Sequence, residues 1–268
     1  MPTAQITNEQ APVPEAVRLM GAACVAALAA CVAALAACVW TATPAWAQGP
    51  TGATMHPSLL PNRLGARTAL TLAFRFSGGQ EGVPAPLRAM VLRLPAGLRV
   101  DLRGVATCAR ARLLRGGARA CPSRSLVGRG HALLAVHAGS QTLPEESTIR
   151  VFRGPNQGSH PTLEIFARGD TPLYQSSTST AVLAPDAAPF GTRLAVSVPP
   201  IPTLVHQPDA SFLSLSLTVG LAGRNPRAHT AGAIVLGRSC PAGGFPFAAA
   251  FTFADRSTAS ATATVACP

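Results

Sequence analysis

The sequence predicts an all-β protein: a two-sheet antiparallel sandwich, immunoglobulin-like or jelly-roll-like, of about eleven strands behind an N-terminal signal helix. Three observations carry that expectation. Apolar residues recur at every second position over short runs, the period of a strand with one buried face. The chain holds 24 glycines and 25 prolines among 268 residues, and many fall between those runs as turn-formers. After residue 47 no capped stripe of helical period runs for more than a turn or two. Composition closes off two other classes. Hydrophobic residues make up 48%, too many for a disordered polyelectrolyte, and charged residues only 12%, too few for a coiled coil or helical bundle.

The first 47 residues read as an address. Residues 1–17 form a polar leader; Arg18 then precedes an apolar run from Leu19 to Trp40, and Ala45-Trp46-Ala47 offers a small-x-small cleavage site before Gln48. A positive flank, an apolar stretch and such a site describe a secretory signal peptide, so the expected destination is secreted or cell-envelope. Two other fates stay open. The run, about 22 residues, is long enough to remain as an uncleaved membrane anchor. It also repeats ACVAALA from Ala23 to Ala36, which sets Cys31 and Cys38 in contexts resembling bacterial lipoprotein boxes. Against lipidation, the residues after Cys31 stay apolar where a tethered lipoprotein shows a polar linker. With cleavage before Gln48 the chain keeps 221 residues, of which 21 are Arg and 9 are acidic, a net charge of +12.

Residues 48–62 are Gly/Pro-rich and read as a linker, leaving 63–268 as one β-sandwich domain. The first strand starts at Thr68, with Leu70, Leu72, Phe74 and Phe76 on one face and Thr71, Ala73 and Arg75 on the other. Similar runs follow at Leu87–Leu94, Ser125–Val136, Thr148–Phe152, Thr162–Ala167, Thr178–Leu183 and Arg193–Val198, then at Ser211–Val219, Ala233–Leu236, Phe247–Phe253 and Ser260–Ala266. The clearest is Ser211–Val219, where Leu213, Leu215, Leu217 and Val219 alternate with Ser214, Ser216 and Thr218. Phe245, Phe247, Phe251 and Phe253 share odd-numbered spacing, a row expected to pack the core. Arg110–Arg119 has the makings of a helical turn that Gly116-Gly117 breaks. Glu145-Glu146-Ser147-Thr148 reads as a solvated turn, Asp170-Thr171-Pro172 as a turn, and Ser176–Thr180 as a polar loop entering a strand.

Cys24, Cys31 and Cys38 leave with the signal segment; Cys108, Cys121, Cys240 and Cys267 remain, an even number that reads as disulfides after export. Of three connectivities we choose Cys108–Cys121 and Cys240–Cys267, because each pair is local and flanks a loop or hairpin. Each stabilises by about 3 kcal/mol in the chain-entropy account. A zinc site needs close pairs such as C-x2-C, which the chain lacks, so no metal or cofactor is expected.

Leu94-Pro95-Ala96-Gly97-Leu98, then Cys108, then Cys121-Pro122-Ser123-Arg124-Ser125-Leu126-Val127-Gly128 together resemble a pattern of exported β-sandwich proteins from high-GC actinobacteria: L-P-x-G-L, a Cys, a short insert and C-P-x-x-S-x-V-G. The resemblance covers about residues 87–136. It implies an extracellular β-sandwich with a local Cys108–Cys121 bridge, and it carries over no catalytic residue. The use of Arg for all 22 cations fits a GC-rich genome.

Catalytic motifs are missing from the sequence: there is no G-x-S-x-G, H-E-x-x-H, Walker loop, dinucleotide fingerprint or EF-hand. His131 and His137 sit on one face of a strand, but about 20 Å apart, too far to share a metal. The acids are few and scattered, and the sole Trp beyond the apolar run, Trp46, falls in the cleavage site, which weakens a sugar-processing reading. No catalytic residue is assigned. What stands out is Arg99, Arg103, Arg110, Arg112, Arg115, Arg119, Arg124 and Arg129, opposed in that stretch only by Asp101. The primary reading is a secreted or cell-envelope structural or interaction module without enzymatic activity. The second is a polyanion-binding protein that meets anionic cell-surface polymers or lipid head groups through Arg99–Arg129. Sequence-specific nucleic-acid binding is not expected, since no aromatic platform lies among these arginines. A hydrolase with a scattered site is the third.

Overall fold

Strand-forming alternation governs the computed structural model, which describes residues 49–79, 82–172, 174–220 and 233–268. The signal-segment features, Cys31, Cys38, Ala45, Ala47 and Gln48 among them, lie outside the described residues. The chain from Gln48 to Pro268 is one compact unit of all-β architecture. Thirteen strands appear among the described residues. The first six are β1 (Gly49–Leu60), β2 (Arg67–Gly79), β3 (Leu87–Pro95), β4 (Arg99–Asp101), β5 (Leu126–Ala138) and β6 (Gln141–Arg153). They continue as β7 (Thr162–Gly169), β8 (Gln175–Pro185), β9 (Phe190–Ser197), β10 (Ser211–Val219), β11 (Ala233–Val235), β12 (Phe245–Phe253) and β13 (Thr258–Val265). One short helix, α1 (Arg110–Gly116), precedes β5. No helix among the described residues is long and apolar enough to cross a membrane.

All pairings are antiparallel, and they form one continuous, unclosed ladder in the order β13-β12-β3-β9-β8-β7-β6-β5-β10-β2-β11-β4, with β1 on β2. The two layers of the sandwich are thus two parts of one ladder folded face to face. Phe251 of β12 meets Phe74 and Phe76 of β2 at ring-centroid distances of 5.6 and 5.0 Å, edge to face. The row Phe245, Phe247, Phe251 and Phe253 is fully buried, as its spacing predicts. Edge-to-face pairs add to the area term that drives this core.

Four segments depart from the sequence reading. The expected linker 48–62 is largely strand β1, in which Met55 and Leu59 are buried, Pro57 is half-buried, and Thr54, His56 and Ser58 are exposed. Its prolines and glycines hid that period. An edge strand tolerates Pro57 because one side of its backbone needs no partner. The expected turn at Glu145-Glu146 lies inside β6, and the real turn is the two-residue Gly139-Ser140, with Gly139 at φ 66° as a tight hairpin requires. β7 pairs with β6 only from Ser147 onward, so Pro144 sits on a half-paired stretch. Ser176–Thr180 likewise belongs to β8. On β10, Leu213 is the extra residue of a bulge against β5, so Phe212 packs the core in its place while Leu215, Leu217 and Val219 follow the predicted alternation.

Candidate functional site

The outer face of β6, β7 and β8 carries the groove, and register determines what stands there. Three cross-strand rows point outward: Thr148–Arg168–Ser176, Arg150–Phe166–Thr178 and Phe152–Glu164–Thr180. Phe152 and Phe166 make this face partly apolar, and the segment from Cys108 to Cys121 covers it. Leu113 of α1, Phe152, Phe166 and Cys108 form a small second core, separate from the main one. The predicted bridge Cys108–Cys121 is present, with Cα atoms 5.3 Å apart, and so is Cys240–Cys267, at 6.1 Å.

α1 ends where the sequence indicates. Gly117 takes φ 62°, and its N–H donates to the Leu113 carbonyl; this left-handed conformation favours glycine. A Cβ there would stand 3.6 Å from the Phe166 ring. The chain continues as a 3-10 turn, Gly117–Ala120, into Cys121. The Cys108 N–H donates to the Arg153 carbonyl at 2.8 Å, anchoring the segment's start to the end of β6.

Between this segment and the strands lies a cavity of about 680 Å³, lined by Arg115 and Arg119 on one wall and by Arg150, Arg168, Asp170 and Tyr174 on the other, with Leu113 and Phe166 at its base. The volume suits an organic ligand or a stretch of polymer. Asp170 accepts from Arg168 Nε at 2.8 Å, and the Arg168 guanidinium stacks over the Tyr174 ring at 4.9 Å. These contacts orient the Arg168 guanidinium along the wall. Arg115, Arg119 and Arg150 have no ion-pair partner among the described residues. Three guanidinium forks without ion-pair partners thus share one concavity, donor chemistry that suits carboxylate, sulfate or phosphate oxygens. Tyr174 and Leu114 stand at its rim, 76% and 64% exposed.

The buried acid on this face belongs to a different network. Glu164 accepts from Thr180 Oγ1 at 2.9 Å, and Arg110 donates to the same hydroxyl oxygen at 3.3 Å. Burial raises the Glu164 pKa, against the opposing pull of the Thr180 hydroxyl and the Arg110 charge.

The eight arginines of the sequence cluster separate. Arg115 and Arg119 line the groove. Arg110 opens α1 beside Thr180, Arg112 is exposed on α1, and Arg124 lies in the 3-10 turn Ser123–Ser125. Arg99 is in β4. Arg103 is occupied: its Nε and Nη2 donate to Asp101 at 2.9 and 3.0 Å, and this pairing lowers the Asp101 pKa to about 2. Arg129 sits on β5 directly across from Arg150.

Arg150 and Arg168 escaped the sequence reading, although both occupy outward positions in Ile149-Arg150-Val151 and Ala167-Arg168-Gly169. Tyr174, the only tyrosine, supplies the aromatic that the arginine stretch lacks, and only the fold brings it there. No group of three or more His, Cys, Asp or Glu suited to a metal occurs among the described residues, and His137 faces Thr142 at 3.3 Å. Comparison with protein-family models, curated proteins and solved structures finds no match. Fold and groove together define an all-β protein with an arginine-lined groove walled by a disulfide-closed segment.

Proposed function

We propose that the protein is a secreted or cell-envelope β-sandwich that serves as a non-catalytic interaction module, holding anionic groups of its partner in the Arg115–Arg119–Arg150–Arg168 groove. The observation that carries this reading is the convergence of four arginines from three segments on one cavity that contains a single carboxylate, Asp170, itself held by Arg168. The cavity lining carries no imidazole, and its one carboxylate is held by Arg168; His131, across from Thr148 on β5, lies outside the lining. Export rests on the Leu19–Trp40 run, the Ala45-Trp46-Ala47 site and the resemblance to exported actinobacterial β-sandwiches.

The test is a charge-matched pair of triple variants on an immobilised heparin column. R115Q/R119Q/R150Q is expected to elute at clearly lower salt than the parent, whereas R99Q/R103Q/R124Q, which loses the same charge, elutes close to it. Equal shifts for the two overturn the groove and leave only diffuse basicity. Turnover of any substrate in a hydrolase panel overturns the non-catalytic part.

A further inference from the structure

The groove does not end the basic track. Arg129 and Arg150 are exposed and directly opposed on neighbouring strands β5 and β6. Like charges at opposed positions are destabilising, and no acid at ion-pair distance relieves either one among the described residues. Violations of a local rule of this kind concentrate at functional sites. Beyond Arg129 the same row continues over three more strands as Thr218, Thr71 and Ser58. The adjacent row runs His56, Ala73, Ser216, His131, Thr148, Arg168. Neither row contains a carboxylate, and Thr71 and Thr218 share a hydroxyl hydrogen bond of 2.8 Å. Strands lie about 4.8 Å apart, so cations on β5, β6 and β7 are spaced over about 10 Å. A single compact anion in the groove leaves Arg129 unused.

We propose that the ligand is a linear polymer of phosphate groups, which threads between Arg115 and Arg119, passes Arg168 and Arg150, and continues over Arg129 onto the hydroxyl-bearing face of β10 and β2. This rests on the anion-groove reading and names its ligand class. Phosphate offers acceptor oxygens to guanidinium forks and to Thr and Ser hydroxyls at once. An acidic protein would want a broad apolar interface centre, and beyond Phe166 at the groove's base these rows offer only Ala73. The chemistry has two sources, a base-free phosphate polymer and single-stranded nucleic acid; in the second a base stacks on the exposed Tyr174 ring.

The experiment titrates the full chain at fixed salt with pyrophosphate, a long linear polyphosphate, oligothymidylate and polyglutamate. Polyphosphate is expected to bind at least about tenfold tighter per chain than pyrophosphate, with the steeper salt dependence of several released counterions. Arg129→Gln should weaken the polymer severalfold and reduce its salt slope by about 0.7, leave pyrophosphate unchanged, and keep or raise Tm. Tyr174→Leu identifies the source: a loss of about fivefold or more confined to oligothymidylate marks nucleic acid, and indifference of both polymers marks the base-free chain. Equal affinities for pyrophosphate and polyphosphate, or no effect of Arg129→Gln on the polymer, overturn the proposal while the groove survives. Polyglutamate binding as tightly as polyphosphate overturns the phosphate assignment. Failure of every anion to bind overturns the groove reading as well.

Discussion

Cys108–Cys121 and Cys240–Cys267 are both local bridges, but they fasten very different things. The first closes a segment whose only regular structure is α1 and a 3-10 turn, laid on the outside of the sheet over its own small core. The second encloses the β12–β13 hairpin, already held by cross-strand pairing from Phe245–Val265 to Thr252–Thr258 and by the buried phenylalanine row. A seven-residue helix is far below the length that persists alone in water. In the outer segment the disulfide therefore does what a ladder does in the hairpin. One bridge supports a core; the other positions Arg115 and Arg119.

That contrast breaks most visibly when the bridges are removed one at a time. Replacing Cys240 and Cys267 by Ser should cost about 3.5 kcal/mol by the longer-loop chain-entropy term, read from denaturant midpoints. Heparin retention of the folded protein should be unchanged. Replacing Cys108 and Cys121 by Ser should cost somewhat less, about 3 kcal/mol. It should also lower anion affinity at least about tenfold, because the wall that presents Arg115 and Arg119 loses its position. If both double variants bind anions like the parent, the outer segment is not part of the site.

A finer cut leaves both disulfides intact. Leu113 is fully buried against Phe152 and Phe166 and is the principal apolar anchor of α1. Leu113→Ala should cost about 2 kcal/mol, the low end for such truncations because the site is near the surface and can relax. Hydrogen exchange should locate the damage. Amides of α1 are expected to lose protection while those of β2 and β12 keep theirs, as befits a separate cooperative unit. Uniform loss across all three would mean that the outer segment and the main core unfold as one.

The two regions were also unequally legible in the sequence. Strands with one wet face announce themselves by period two, so β2, β10 and β12 are readable, and local cysteine spacing gives both bridges. β1 and the first half of β6 are not, because Pro57, Pro144 and the Glu145-Glu146 pair mimic linker and turn chemistry, while edge or half-paired positions remove the penalty on proline. Half the groove is legible in the same sense. Arg115 and Arg119 fall within the basic stretch, but Arg150, Arg168 and Tyr174 reach them only through the β6–β7–β8 register and the docking of α1 on that face. Pairing register of distant strands is a global property that no local window contains.

The smallest effect tests whether the two faces of β6 act independently. Glu145 lies just past the end of β7, buried on the inner face, with its carboxyl packed against Gly169. Burial raises its pKa, and the negative charge of Asp170 adds to the rise. The native state therefore binds more protons than the unfolded chain between the ordinary carboxylate pKa of about 4.3 and the raised native value. Stability falls as pH rises through that window, and the ionised group remains a liability at neutral pH. Glu145→Gln should raise Tm by about 2 °C at neutral pH, with the gain shrinking as the pH falls and the parent carboxyl protonates. Anion binding at the groove should change little, since Asp170 is the one charge of the lining that reaches Glu145. A variant less stable than the parent at neutral pH would show that the carboxylate holds a favourable contact there, and a marked change in anion affinity would couple the core to the groove through β6.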